Sequence, residues 1–351
     1  MRRRRLLVLN IFMMLTIAFV QNTFAWVPKE PLYIDLSKTL GFVMGQRFSL
    51  NRIKVEYPAL SLQVQKAELE FKATFGIAEK NIEKSLRDLL KDKYPEYIAR
   101  MEKQLESTLK SQQISQNIAV QFFDEVESRA KGKIPSPMLE TLLNYQFEER
   151  PADELIRRFK TIYRTKGHPK AKGLDLQIEY AKSWSLREGN RPNVIQFFSS
   201  NNGRGPAHAL IMIRDLVKEA QGELTREELK ALKTLEGSRE LASEVFSESS
   251  LREMANGMGI ANIRNITTKR VVLDRWPGAM LEFIGDQHRL DLTVTMYNRV
   301  YIAIYKNYMI FFQCQVAKLP DDTDDALKTK ISKFAPLFHL MANSLVIQSQ
   351  Y

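Results

Sequence analysis

Four histidines and one cysteine are the residues best equipped for catalysis or metal binding in this chain of 351 residues. A zinc site shows in sequence as two histidines one helical turn apart, or as paired cysteines. His168, His208, His288 and His339 have neither spacing. His168 falls in the basic stretch TKGHPKAKG and His339 beside an apolar helical stripe, so each reads as a satisfied or exposed histidine. Cys314 stands in IFFQCQV, an apolar run where a buried structural thiol is expected rather than a nucleophile. No serine sits in the Gly-x-Ser-x-Gly turn that exposes a hydrolase nucleophile.

The polar clusters read as turns and caps. Asn201-Asn202-Gly203-Arg204-Gly205-Pro206 lacks the spacing of a phosphate-cradling loop and lies between two strand-like runs. Asn256-Gly257-Met258-Gly259 fits a helix C-terminus. Asp321-Asp322-Thr323-Asp324-Asp325 lacks the alternating ligands of a calcium loop, and acids there suit the positive end of a helix dipole. Asn265-Ile266-Thr267 is a glycosylation triplet, relevant only in a eukaryotic secretory host. No cofactor and no metal are expected. In IEYAKSWSLREGNRPNVIQFFSS a polar insert divides two apolar runs. Glu188 to Pro192 reads as a turn and Trp184 as a packed indole. The functional alternative makes Trp184, Arg187 and Arg191 an aromatic-plus-cation patch for an anionic ligand.

The elements that would position these residues begin after a leader. Arg2 to Arg5 form a positive block, Leu6 to Val20 is apolar apart from Asn10 and Thr16, and Thr23-Phe24-Ala25 puts small residues at −3 and −1 of a cut after Ala25. That is the layout of a secretory signal over residues 1–25, with a run shorter than the roughly 20 residues of a membrane span. An uncleaved N-terminal anchor is the alternative. Loss of four arginines lowers the formal charge from +11 to +7. A surface still basic favours weak attraction to anionic envelope surfaces. One cysteine allows no intramolecular disulfide, so stability rests on packing. With 44% hydrophobic and 26% charged residues the chain has a globular profile and length for two domains. Basic residues are spread rather than striped, which argues against nucleic acid. No second long apolar run marks an integral membrane protein.

From Pro58 to Phe147 apolar residues recur at three and four positions: Leu60, Val64, Ala67, Phe71 and Phe75, with a stop expected at Gly76, then Ile82, Leu86, Leu89 and Leu90 in a second helix. Tyr97, Met101, Leu105 and Leu109 mark a third helix, and Ser115 caps a fourth. Residues 27–55 resist assignment. These features predict a helical domain over 26–150. A second domain, 151–351, opens with a helix to about Arg164. The period then becomes two: Leu176, Ile178 and Tyr180, then strands near 194–199, 209–213, 262–273 and 279–284, and a meander over 288–296, 299–305 and 308–316. Thr225 to Met258 is helical. Tyr305 to Tyr308 is a tight hairpin, with Asn307 suited to positive φ. A closing helix carries Leu327, Ile331, Phe334, Phe338 and Met341 on one stripe. The expected class is α+β: an all-helical N-terminal domain, then a mainly antiparallel sheet covered by helices on both faces, an α/β/α sandwich.

The stretch ending Tyr180-Ala181-Lys182-Ser183-Trp184, the paired strands after it, the meander RVYIAIYKNYMIFFQCQV and the closing helix resemble the PsbP/Mog1/DcrB-like α/β/α sandwich family over about residues 170–350. Many members open with aromatic–Pro–x–x–Trp, and Ala181 stands in place of that proline. The resemblance implies a non-catalytic accessory or assembly protein of a lumen or envelope. The reading is therefore an exported, periplasmic or secreted binding protein with an envelope protein partner. Its rivals are an exported hydrolase of unfamiliar type, using carboxylates such as Glu179 or Glu188, and a carrier holding a small apolar ligand between the two domains.

Overall fold

A computed structural model describes residues 32–219, 225–289 and 292–351. The leader and the cut after Ala25 lie outside the described residues. The chain divides into two compact units that change over between Phe159 and Lys160.

The first unit is helical: α1 (Leu32–Glu56), α2 (Ser61–Leu90), α3 (Tyr94–Lys110), α4 (Gln116–Ala130), α5 (Met138–Gln146) and α6 (Ala152–Ile156). Residues 27–55, left open by the sequence, supply α1. Gly41 and Gly45 lie one turn apart on it against Met101 and Leu105 of α3, where small residues let two helices approach. Gly76 does not stop α2, which runs through it. The N–H groups of Ile77 and Ala78 donate to Gln146 Oε1 at 3.1 and 3.0 Å, so α5 supplies a further acceptor just after the glycine. Ser115 caps α4, its hydroxyl accepting from Ile118 N. The stripes from Leu36 to Leu86 close on Leu139, Leu142 and Leu143 in one core.

The second unit contains β1 (Lys160–Arg164), β2 (Leu176–Ala181), β3 (Ser185–Glu188), β4 (Val194–Ser199), β5 (Ala207–Asp215), α7 (Leu216–Glu219), α8 (Arg226–Ala231), α9 (Leu235–Val245) and α10 (Glu248–Asn256). It continues with β6 (Ala261–Leu273), β7 (Trp276–Arg289), β8 (Leu292–Tyr305), β9 (Tyr308–Ala317), α11 (Asp324–Asn343) and β10 (Val346–Ile347). Seven antiparallel strands form the main sheet in the order β3-β4-β5-β9-β8-β7-β6, and β1-β2-β10 form a second, small sheet. One face of the main sheet packs against α9 and α10 through Leu210, Met212, Leu281, Val300, Ile302 and Phe311. The other lies under α11, where Phe334 and Phe338 meet the Trp184 ring. The fold is thus α+β, a helical unit followed by an antiparallel sheet flanked by helices.

Four local expectations need correction. Residues 160–164 extend a strand, not a helix, because Thr161 and Tyr163 pair with Tyr180 and Ile178 of β2. That pairing takes β2 out of the main sheet. His288 belongs to β7, and β8 runs unbroken through Asn298, read from sequence as a break. Asn298 is buried, accepting from Gln313 and Gln315, which satisfies its amide inside a strand. In the β8–β9 turn the positive φ falls on Lys306, not Asn307.

Candidate functional site

Three side-chain groupings in the second unit hold chemistry. The first lies on the sheet face shared with α9 and α10. His208 Nδ1 is 3.0 Å from Ser199 Oγ across the β4–β5 pair. Burial, then the charge of Arg187, pushes the His208 pKa down to about 3. A base held that low takes up little proton at neutral pH, so this is a cross-strand hydrogen bond rather than a serine–base pair. Beside it the amides of Gln313 and Gln315 donate to Asn298 Oδ1 at 3.2 and 2.7 Å. These carboxamides are neutral and rigidify the strands.

The second grouping faces α11. Glu282 Oε1 accepts from Arg299 Nε at 2.6 Å and from the Tyr297 hydroxyl. Arg299 Nη1 donates to Ala335 O of α11 at 2.9 Å. Burial raises the Glu282 pKa, but hydrogen bonds from Tyr297 and the charge of Arg299 outweigh it and leave it lowered. A single ionised carboxylate clamped by an arginine ties helix to sheet. Cys314 sits opposite Arg299 across the β8–β9 pair, its thiol pKa pushed well up by burial.

The third grouping surrounds a cavity of about 560 Å3 between α9 and the β6–β7 hairpin. Thr234 caps α9, its hydroxyl accepting from Gly237 N at 3.0 Å. A side chain at Gly237 would meet the Ala231 carbonyl at 2.1 Å, so glycine is what allows the α8–α9 turn. From α9 and its C-cap the cavity receives Leu235, Arg239, Ala242, Ser243 and Phe246, one stripe of helical period. The hairpin turns through Asp274 and Arg275, both at positive φ, between the paired residues Leu273 and Trp276. That is a two-residue turn matching the sheet's twist. It brings Arg270, Val271, Val272, Arg275, Pro277 and Gly278 to the opposite wall. A Cβ at Gly278 would lie 2.4 Å from Ile302 O, so glycine lets β7 close on β8 there.

The cavity floor is apolar, with Phe246 and Ala242 buried, while Val272 remains 68% exposed at the mouth. Arg239, Arg270 and Arg275 ring it. Arg270 Nη2 donates to Ser243 O at 3.2 Å, and the Arg275 guanidinium lies 5.6 Å from the Tyr351 ring centroid. Among the described residues none of the three forms an ion pair with a carboxylate, whereas Arg164, Arg299, Lys160 and Lys170 of the same unit do. Asp274 is turned to the C-terminus, accepting from Ile347 N at 2.6 Å and from Gln350 and Tyr351.

The residues singled out from sequence lie elsewhere. Trp184 is buried against α11, while Arg187 lies 5.4 Å from the ring centroid of Phe197, a member of the core on the other sheet face. Arg191 sits in the turn before β4, its pKa lowered by burial. Trp184 therefore shares no surface with Arg187. Glu179 pairs with Lys160 at 2.7 Å across β1–β2, and Glu188 pairs with Lys170 at 3.0 Å. The hydrogen bond from Lys170, then its charge, lowers the Glu188 pKa. Asp322, Asp324 and Asp325 pair with Lys330, Lys318 and Lys328 around the Thr323 cap. The cavity residues were missed because three separate elements supply them and no short motif joins them.

No family model matches the chain, and no curated protein matches it. Among solved structures, the crystal structure of LpqN, described as involved in cell envelope biogenesis of Mycobacterium tuberculosis, matches 56% of this chain and 96% of its own. The identity is 10% and the TM-score 0.29, a likeness that carries no argument about this chain. Among the described residues no helix is long and apolar enough to cross a membrane.

Proposed function

We propose that the chain is an exported envelope protein that acts by binding rather than turnover, with the second unit as its ligand-binding module. The observation that carries this is the cavity of about 560 Å3 with an apolar floor and an arginine wall. Its size falls among small-molecule sites, which join an apolar lining to a few charged groups. The leader of residues 1–25 supports export, and the meander and closing helix resemble the PsbP/Mog1/DcrB-like accessory proteins. In this reading a helical domain over 26–150 engages an envelope protein partner, and the sandwich domain over 151–351 carries the ligand. An anionic surface adds weak, salt-sensitive attraction.

The test is to express the tagged full chain in its native host, fractionate the cells and crosslink the envelope fraction. The expected product begins at Trp26, resides in the envelope and crosslinks to one dominant protein. A chain that keeps Met1 and stays in the cytosol overturns export. An envelope chain with neither crosslinked partner nor retained small molecule overturns binding.

A further inference from the structure

The floor and the wall of the cavity ask different things of a ligand. Phe246, Ala242, Val271 and Pro277 offer apolar surface, and burying an apolar chain there gains about 25 cal/mol per Å2. Arg239, Arg270 and Arg275 offer positive charge and, among the described residues, form no ion pair with a carboxylate. The helical period turns Glu240 and Glu244 of α9 away from the stripe Leu235, Arg239, Ala242 and Phe246, while Glu236 lies at the stripe's edge near Ser243. Asp274 is engaged by the C-terminal residues. The local field at the mouth is positive beside an apolar hollow.

We propose that this cavity binds a single-chain anionic amphiphile, a fatty carboxylate, with its head on Arg239, Arg270 and Arg275 and its chain against Phe246 and Pro277. This rests on the reading of the second unit as a binding module and names its ligand class. Guanidinium groups hold a carboxylate through paired N–H donors, which favours an acid head over an alcohol. A volume of about 560 Å3 takes one chain, whereas a two-chain membrane lipid exceeds it. Arg275, the second residue of the β6–β7 turn at a φ of 74°, puts a guanidinium at the mouth.

The test is calorimetric titration of the full chain, below the micelle concentration of each probe, with dodecanoate, dodecyltrimethylammonium, dodecanol and inorganic phosphate. The expected result is saturable one-to-one binding of dodecanoate, at least about ten-fold tighter than the cationic or alcohol homologue, and no saturable binding of phosphate. Arg270→Gln with Arg275→Gly should weaken dodecanoate about ten-fold and flatten its salt dependence. Ala242→Phe, which fills the floor, should abolish binding of dodecanoate while near-UV dichroism shows the fold retained. Equal affinity for the cationic and anionic probes overturns the assignment, as does dodecanoate binding that Ala242→Phe leaves unchanged. If dodecanoate does not bind but native mass spectrometry of envelope-derived protein shows another retained molecule, the carboxylate assignment falls and the binding-module reading stands. If neither occurs, both fall.

Discussion

Removing Arg299 from beneath α11 should cost about 3 kcal/mol, and removing Glu282 with it should cost less than the two losses added. Glu282 and Arg299 retain only 21% and 15% of their side-chain exposure, and their N···O separation is 2.6 Å. Arg299→Met strands the Glu282 carboxylate and leaves the Ala335 carbonyl without its 2.9 Å donor. Breaking a buried pair from one side costs about 3–5 kcal/mol, and the residual exposure places this case at the lower end. Glu282→Gln keeps one carbonyl acceptor for Tyr297 and turns an NH2 donor toward the Thr267 hydroxyl, which can accept it, so about 1–2 kcal/mol is expected. The double variant has no stranded charge, and the coupling should be about 1–2 kcal/mol. The pH dependence has a fixed sign. The folded Glu282 pKa is lowered, so its contribution is present above the unfolded carboxylate value of about 4.3 and is lost as pH falls through the lower folded value. The gap between wild type and the double variant should therefore narrow as pH falls below about 4. Urea unfolding followed by the fluorescence of Trp184 and Trp276, both inside this unit, gives the free energies. A coupling below about 0.5 kcal/mol, or an Arg299→Met loss below about 1 kcal/mol, would show that the clamp is a surface pair and refute the argument.

Trp184→Ala should destabilise the second unit by about 3–5 kcal/mol, because the ring packs edge-on against Phe338. A loss below about 1 kcal/mol in urea would mean that the indole is not a core group. Arg275→Gly makes an Asp-Gly turn, relieving about 1–2 kcal/mol of left-handed strain while losing about 0.5–1 to glycine entropy and a similar amount in the cation–π contact with Tyr351. The melting temperature should stay within about 5 °C of wild type, and a larger fall would contradict the turn assignment. Gly278→Ala should cost about 1–3 kcal/mol, measured by thermal melting, since its Cβ would meet Ile302 O at 2.4 Å. Cys314, fully buried and with a raised thiol pKa, should react with a disulfide reagent at pH 8 only as fast as the unit opens. Reaction at the rate of a free thiol would place it at the surface.

The fold was legible where the chain repeats a period and obscure where tertiary partners overrule it. Val64, Ala67, Phe71 and Phe75 announced α2, yet Gly76 looked like its end because the acceptor from Gln146 lies 70 residues later. Lys160 to Arg164 carries too little alternation to declare a strand, and its partner β2 decides it. Asn298 looked like a turn residue because the two glutamines that satisfy it, 15 and 17 residues away, are on another strand. In each case a local preference loses to a hydrogen-bond partner remote in sequence.

The cavity shows why the binding site was less legible than the fold. Its arginines come from a helix, a strand and a turn, and the packing of α9 against the β6–β7 hairpin brings them together. The turn itself hides, since a two-residue hairpin is recognised by Asn-Gly or Asp-Gly, and here the second position is arginine. Local preference therefore points away from the conformation that the long β6–β7 pairing imposes. Arg275 is where this unit accepts left-handed strain in a charged side chain at the cavity mouth. An otherwise featureless Leu-Asp-Arg-Trp sequence thus becomes the most informative stretch in the second unit once its backbone angles are known.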